Sequence, residues 1–204
     1  MSKSKKKKSI KENINKSRNV IKAALFILII LGLGIGFLIL RSTTLLFNNI
    51  NEAEQNKINT AINDYIEKRC DSESKSPSSK CFSSNKIYLV ETIVGNDDLI
   101  TEYKDYDNFY YAYSWIVESN YIKKNNIIEE ESGSSIPTKV LLGKKRDTYT
   151  VLKTEIPRDG SYYPEDLKKL FPSKIRNKMN NAQVDGTVSK LLEDNKTKAE
   201  EYFK

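Results

Sequence analysis

The strongest structural signal in this chain is Phe109-Tyr110-Tyr111-Ala112-Tyr113-Ser114-Trp115-Ile116-Val117. Its odd positions, Phe109, Tyr111, Tyr113, Trp115 and Val117, are large and apolar or aromatic. The even positions, Tyr110, Ala112, Ser114 and Ile116, are smaller or more polar on balance. A period of two in aromatic and β-branched residues predicts a strand with its odd face inward. The pattern is dense enough to fit a helix as well, so the neighbouring segments must arbitrate.

Downstream, Asn125-Asn126 separates Tyr121-Ile122 from Ile127-Ile128. Asn tolerates positive φ, and this placement predicts a hairpin turn. Ser132-Gly133-Ser134-Ser135 reads as a second break. Strands are expected at 137–142 and 148–156, around a turn at 143–147. Pro137 has no N–H for a ladder and belongs at a strand start or edge. Upstream, residues 86–94 mix Ile, Tyr, Leu, Val and Thr and read as another strand. The aromatic stretch is therefore one strand of an antiparallel meander.

Helices flank the meander. Residues 48–69 place Ile50, Ile58, Ala61, Ile62, Tyr65 and Ile66 at spacings of three and four, which predicts an amphipathic helix. Residues 71–80, rich in Ser and Lys, read as a surface loop. After Pro157, Arg158-Asp159-Gly160 is a turn and Pro164 opens a short helix that Phe171-Pro172 ends. Ser173 is placed to cap a second helix through Met179. A last amphipathic helix spans 187–203, with Val188, Leu191, Leu192, Ala199, Tyr202 and Phe203 as its apolar residues. The fold class is α+β, in an order shared with the cystatin-like folds, where a helix lies across a curved sheet.

The chain begins differently. Residues 23–40 are 18 apolar residues without a charge, the length of one transmembrane helix. Before them stand Lys3, Lys5, Lys6, Lys7, Lys8, Lys11, Lys16, Arg18 and Lys22 against the single acid Glu12. This bias keeps the N-terminus cytoplasmic. No small-x-small cleavage site follows the span, so an uncleaved anchor is expected. The organisation is then a basic tail at 1–22, a span at 23–40 and an extracytoplasmic domain at 41–204, in a single-pass protein of the cell membrane. The net charge of +7 comes from the tail, because the rest of the chain is nearly balanced. The tail is suited to anionic lipid rather than nucleic acid. In the span, Gly32 and Gly36 form a small-x-x-x-small pair through which two helices can pack, a route to a homodimer.

Cys70 and Cys81 are the two cysteines. Outside the cytoplasm such a pair reads as a disulfide; composition by itself leaves two free thiols as the alternative.

There is no His, which removes Ser-His-Asp and Cys-His catalysis and the usual zinc sites. Ser72-x-x-Lys75 and Ser83-x-x-Lys86 match a Ser/Lys spacing, but in Ser/Lys-rich surroundings where such matches arise by chance. No phosphate-binding Gly-rich loop or cofactor motif is present. Glu118, Glu155 and Asp159 are the carboxylates that would have to pair for acid–base work on sugars. Of the aromatic residues, Tyr106 and Tyr110 are the best candidates for exposure. Arg158, Tyr162 and Tyr163 form a candidate partner face on a loop carried by the sheet.

The ordered motifs Tyr111-Ala112-Tyr113-Ser114-Trp115, Ser132-Gly133-Ser134-Ser135-Ile136-Pro137, Ile156-Pro157-Arg158-Asp159-Gly160-Ser161-Tyr162-Tyr163 and Leu170-Phe171-Pro172 carry a resemblance. Together they resemble an uncharacterised extracytoplasmic module of clostridial membrane proteins. That module includes the outer C-terminal region of some antirepressor-type membrane metallopeptidases, which sense cell-wall antibiotics. The resemblance covers roughly residues 86–204 and implies sensing or binding outside the membrane. The peptidase part is missing, since the chain has no His-Glu-x-x-His. The expected role is a non-catalytic binding or sensory module at the bacterial cell envelope, whose partner is another envelope protein or a wall component. A scaffold subunit of a conjugation or secretion complex, and a carboxylate-dependent cell-wall enzyme, are the alternatives.

Overall fold

The aromatic stretch lies in the second strand of a four-stranded antiparallel sheet of order β1-β2-β3-β4, in a computed structural model that describes residues 50–74 and 78–204. The strands are β1 (Ser79–Ile93), β2 (Asn108–Lys124), β3 (Ile127–Lys145) and β4 (Thr148–Glu155). Helix α1 (Glu52–Glu73) precedes them and a short α2 (Asp97–Glu102) interrupts them. Helices α3 (Tyr163–Leu170), α4 (Ser173–Asn180) and α5 (Thr187–Tyr202) follow. The α+β class and the meander are as the sequence predicts. All described residues belong to one unit, Asn48–Lys204. Among them no helix is long and apolar enough to cross a membrane. The expected span at 23–40, its Gly32 and Gly36, and the tail at 1–22 lie outside the described residues.

Helix α1 starts where Asn51 Oδ1 accepts the Glu54 N–H at 2.8 Å, with Glu52 and Glu54 in the first turn to complement the helix dipole. It buries Ile58, Ile62, Ile66 and Cys70, one residue per turn. The three Ile side chains pack on Ile87, Ala112, Ile116, Val140 and Leu142 of the sheet. Each buried Ile stabilises the fold by about 1.5–3 kcal/mol. The helix runs through Cys70 to Glu73, into the segment expected to be loop.

The opposite sheet face carries Tyr113, Trp115 and Val117, covered by Leu167 of α3, Phe171 just beyond it, Ile175 and Met179 of α4, and Leu191 of α5. Both faces of β2 are therefore buried. The expected polar side, with Ala112, Ser114 and Ile116, is the floor under α1 rather than a solvent face. In β1 the alternation is broken between Ile87 and Leu89. This bulge turns Tyr88 and Leu89 together toward the C-terminal helices, while Ile87 and Val90 face α1.

The turns follow backbone need. Asn125 and Asn126 have φ of 50° and 61°, the two successive positive values of a tight hairpin. Arg146 (φ 55°) makes the β3–β4 turn, and Gly160 (φ 67°) turns the chain out of β4. Four expectations are corrected. Strand β1 starts at Ser79, seven residues before the apolar run that predicted it, because α1 supplies partners for its polar residues. The Ser132-Gly133-Ser134-Ser135 stretch is no break: β3 continues through it, paired with β2, and a bulge at Glu131 lies just before it, where Asn120 faces Ser132 and Tyr121 faces Glu130. Ser173 is the first residue of α4, which has no side-chain cap. In α5 the buried residues are Leu191, Asn195 and Ala199, whereas Tyr202 is 61 % exposed.

Candidate functional site

The two edges of the sheet are treated differently. On the β1 edge, Asp71 Oδ1 accepts the Cys81 N–H at 2.9 Å and Glu67 Oε1 accepts the Ser83 N–H at 2.9 Å. The Ser83 carbonyl accepts from Lys198 Nζ. Side chains of α1 and α5 thus satisfy outward backbone groups of Cys81 and Ser83 and cover the first part of this edge. The Cys70–Cys81 disulfide, as expected, locks the end of α1 to the start of the same strand, with Cα atoms 6.0 Å apart.

The β3 edge is open over much of its length. Strand β4 pairs only with Lys139 to Lys145. Among the described residues, the stretch from Ile127 to Thr138 is hydrogen-bonded to β2 on one side and to no strand on the other, and residues 129–135 are all exposed. Pro137 faces Trp115 and has no N–H to give β2, so it stands in a non-hydrogen-bonded pair, consistent with its expected place at an edge. Antiparallel alternation then turns the N–H and C=O of Ser135 and Gly133 to the open side. The capped part of the β1 edge fixes the same phase, because Ser83, opposite Glu118, directs its groups outward.

A cleft flanks the open edge on each face. On the α1 face a cleft of about 440 Å³ is lined by Glu73, Ser74, Glu118, Asn120, Glu131 and Ser132 beside Cys70. Within it Glu118 Oε2 accepts from Arg69 at 2.7 Å and Oε1 from Ser134 Oγ at 3.0 Å. On the other face a smaller cleft, about 200 Å³, runs along Glu130, Gly133, Ser134 and Ser135 to Leu192. Gly133 is required there, since a Cβ would lie 2.7 Å from the Glu118 carbonyl. The only Trp, Trp115, is 3 % exposed and donates from Nε1 to Ser135 Oγ at 2.9 Å, so the edge is braced from beneath.

The residues singled out from the sequence fall elsewhere. Arg158 is engaged: its Nε and NH2 donate to Asp166 at 2.7 and 2.8 Å, and its guanidinium lies 4.4 Å from the Tyr162 ring centre. This pairing holds the Asp166 carboxyl well below the usual carboxylate range. Asp166, not Asp159, is the acid that holds the turn. Tyr162 is 54 % exposed, while Tyr163 is half-buried against the helix cluster. Tyr106 and Tyr110 are half-buried rather than exposed. The Tyr106 ring lies over Gly143 and against Phe109, and Tyr110 packs edge-on to Tyr149.

The catalytic constellations are not brought together. Glu118 and Glu155 stand opposite Ser134 and Lys139 of β3, on different faces and about 17 Å apart along the strand. Glu155 pairs with Lys139 at 3.1 Å. Ser83 is buried toward α1, whereas Lys86, three residues on, is exposed. Ser72 donates to the Arg69 carbonyl, and Lys75 lies outside the described residues. Among the described residues no group of three or more His, Cys, Asp or Glu is placed to hold a metal ion.

The open edge was not legible in advance, because it depends on where β4 stops. The one signal for it was Pro137, the residue that marks an edge. No family model, curated protein or solved structure matches the chain, so its functional reading rests on this geometry.

Proposed function

We propose that this protein is a membrane-anchored, non-catalytic interaction or sensory module of the bacterial cell envelope. The basic tail is inside, residues 23–40 cross the membrane, and the α+β domain stands outside. The observation that carries the binding role is the open edge of β3, set against a β1 edge whose first part, at Cys81 and Ser83, is capped by three side-chain hydrogen bonds. An edge left free over this length presents a ready template for a partner strand. The charge bias of the tail supports the orientation. The resemblance to the outer clostridial module, and the order of a helix followed by an antiparallel meander that cystatin-like folds share, support a binding domain.

The test combines topology and contact. Protease added to wall-stripped cells digests the domain and spares the tail. A photo-crosslinking residue at Ser135, in cells, gives a discrete adduct that the same residue at exposed Thr150 on β4 does not. A protected domain, or equal adducts at both positions, removes this reading. A large stoichiometric complex in detergent, crosslinked at Ser135, would assign the module to a scaffold assembly.

A further inference from the structure

We infer that the open β3 edge takes an extended, basic segment of a partner protein as an additional antiparallel or parallel strand. This deepens the proposed function and rests on it. The backbone and the charge at the edge point independently to such a ligand.

The backbone argument comes from Gly133 and Ser135, whose N–H and C=O groups face outward beside a proline that ends the series. An added strand satisfies those groups through main-chain hydrogen bonds, which are indifferent to sequence. Selectivity must then come from side chains, which alternate between the two faces of an added strand.

The charge argument comes from the clefts that receive those side chains. The α1-side cleft holds Glu73, Glu118 and Glu131. Arg69 offsets Glu118, but Glu129, Glu130 and Glu131 form no ion pair among the described residues. A Lys or Arg of the incoming strand meets this excess of carboxylate. On the opposite face the neighbouring position meets Leu192, which is 37 % exposed, between Ser135 and Glu130, and suits a side chain whose body is apolar. The complementary strand therefore alternates basic and apolar residues. A second copy of this chain fits poorly as the occupant, because its own β3 brings Glu129, Glu130 and Glu131 to the same acidic edge.

The test uses the full-length chain in detergent, with the disulfide intact. The probes are fluorescent peptides of about ten residues, the length of a long strand. One alternates Lys and Val, a second alternates Glu and Val, and a third is the Lys–Val peptide N-methylated at every second residue. The Lys–Val peptide is expected to bind, and the other two to bind weaker by about tenfold or more. Glu131→Lys and Ser135→Pro should each weaken Lys–Val binding by a similar factor. Melting temperature and Trp115 emission verify folding; if Ser135→Pro unfolds, Glu131→Lys on the exposed bulge decides. Equal binding of all three peptides, or binding that Glu131→Lys leaves unchanged, overturns the inference. So does a Ser135→Cys chain that forms an intermolecular disulfide with its own copy. A Ser135 crosslink in cells without Lys–Val binding overturns the partner chemistry and leaves the interaction module standing. Loss of both removes the two together.

Discussion

Arg158 clasps Asp166 from two directions: the guanidinium donates through Nε and NH2, and the Arg158 backbone N–H donates to the same carboxylate at 3.0 Å. The contact closes the loop between β4 and α3 and neutralises an acid that is 11 % exposed on its side chain. The arginine thus acts as a brace for the turn, with the partly exposed Tyr162 ring stacked beneath it.

The first prediction follows from that clasp. Arg158→Ala and Asp166→Asn should each lower the melting temperature by a few degrees, and the double variant should lower it by less than the sum. Arg158→Lys should recover little, because a single ammonium cannot reproduce the two-point fork. Additive losses in the double variant would show that the two residues act separately. The folded Asp166 carboxyl titrates below its unfolded counterpart. Its contribution is therefore full above the usual carboxylate range and is lost as pH falls below it.

A second acid governs the other end of the fold. Glu54, in the first turn of α1, accepts from Lys144 at 2.8 Å and from the Tyr149 hydroxyl, and pairs with Lys57 at 3.4 Å. The hydrogen bond from Lys144 is the largest cause that lowers its pKa to about 2 from 4.5. Burial, with Glu54 as neighbour, pushes the Tyr149 hydroxyl up to about 12. Because the folded pKa of Glu54 lies below the unfolded one, its stabilisation is complete above pH 4.5 and disappears as pH falls through about 2. The wild-type melting temperature should fall more steeply across that window than that of Glu54→Gln. Parallel curves for the two proteins would detach Glu54 from the acid limb.

How far these features could be read in advance depended on whether local chemistry or a distant partner sets them. Asn125-Asn126 and Gly160 announced their turns because the backbone there needs positive φ. The stripe Ile58, Ile62, Ile66 announced α1 because its period is local. Residues 79–85 did not announce a strand, since Ser, Lys and Asn have little intrinsic preference for one. They are held in β1 by Asn63, Glu67 and Lys198, which lie far along the chain. The buried Asn195 was missed for the same reason: its Nδ2 donates to the Val117 carbonyl across 78 residues.

The third prediction concerns the disulfide. Closing a loop of sequence separation 11 stabilises the fold by about 2–3 kcal/mol in the chain-entropy picture. Cys70→Ser with Cys81→Ser should cost that amount in denaturant unfolding. Hydrogen exchange should accelerate first at Ser79 to Cys81, where β1 begins. In the wild type, thiol labelling under denaturing conditions should give signal only after reduction. Labelling without reductant would remove the bond from the mature protein.

The fourth prediction uses the close approach of Tyr106 to β3. A Cβ at Gly143 would lie 2.6 Å from the Tyr106 ring and 3.1 Å from Leu152 Cδ1. The ring is also held against Phe109, with centroids 6.5 Å apart, so it cannot swing aside without leaving its packing. Gly143→Ala should therefore destabilise the domain by about 1–3 kcal/mol, the usual cost of overpacking. Tyr106→Ala should cost stability as well, by removing the ring. The pair should couple: in the Tyr106→Ala background, Gly143→Ala should cost much less, because the ring it would strike is gone. Strict additivity would mean that the penalty at Gly143 arises from Leu152 instead, and that Tyr106 has room to yield. The same cycle bears on Tyr106 as a partner contact. A ring that must lie over Gly143 for stability is not free to rotate outward, and the coupling energy measures how firmly it is kept there.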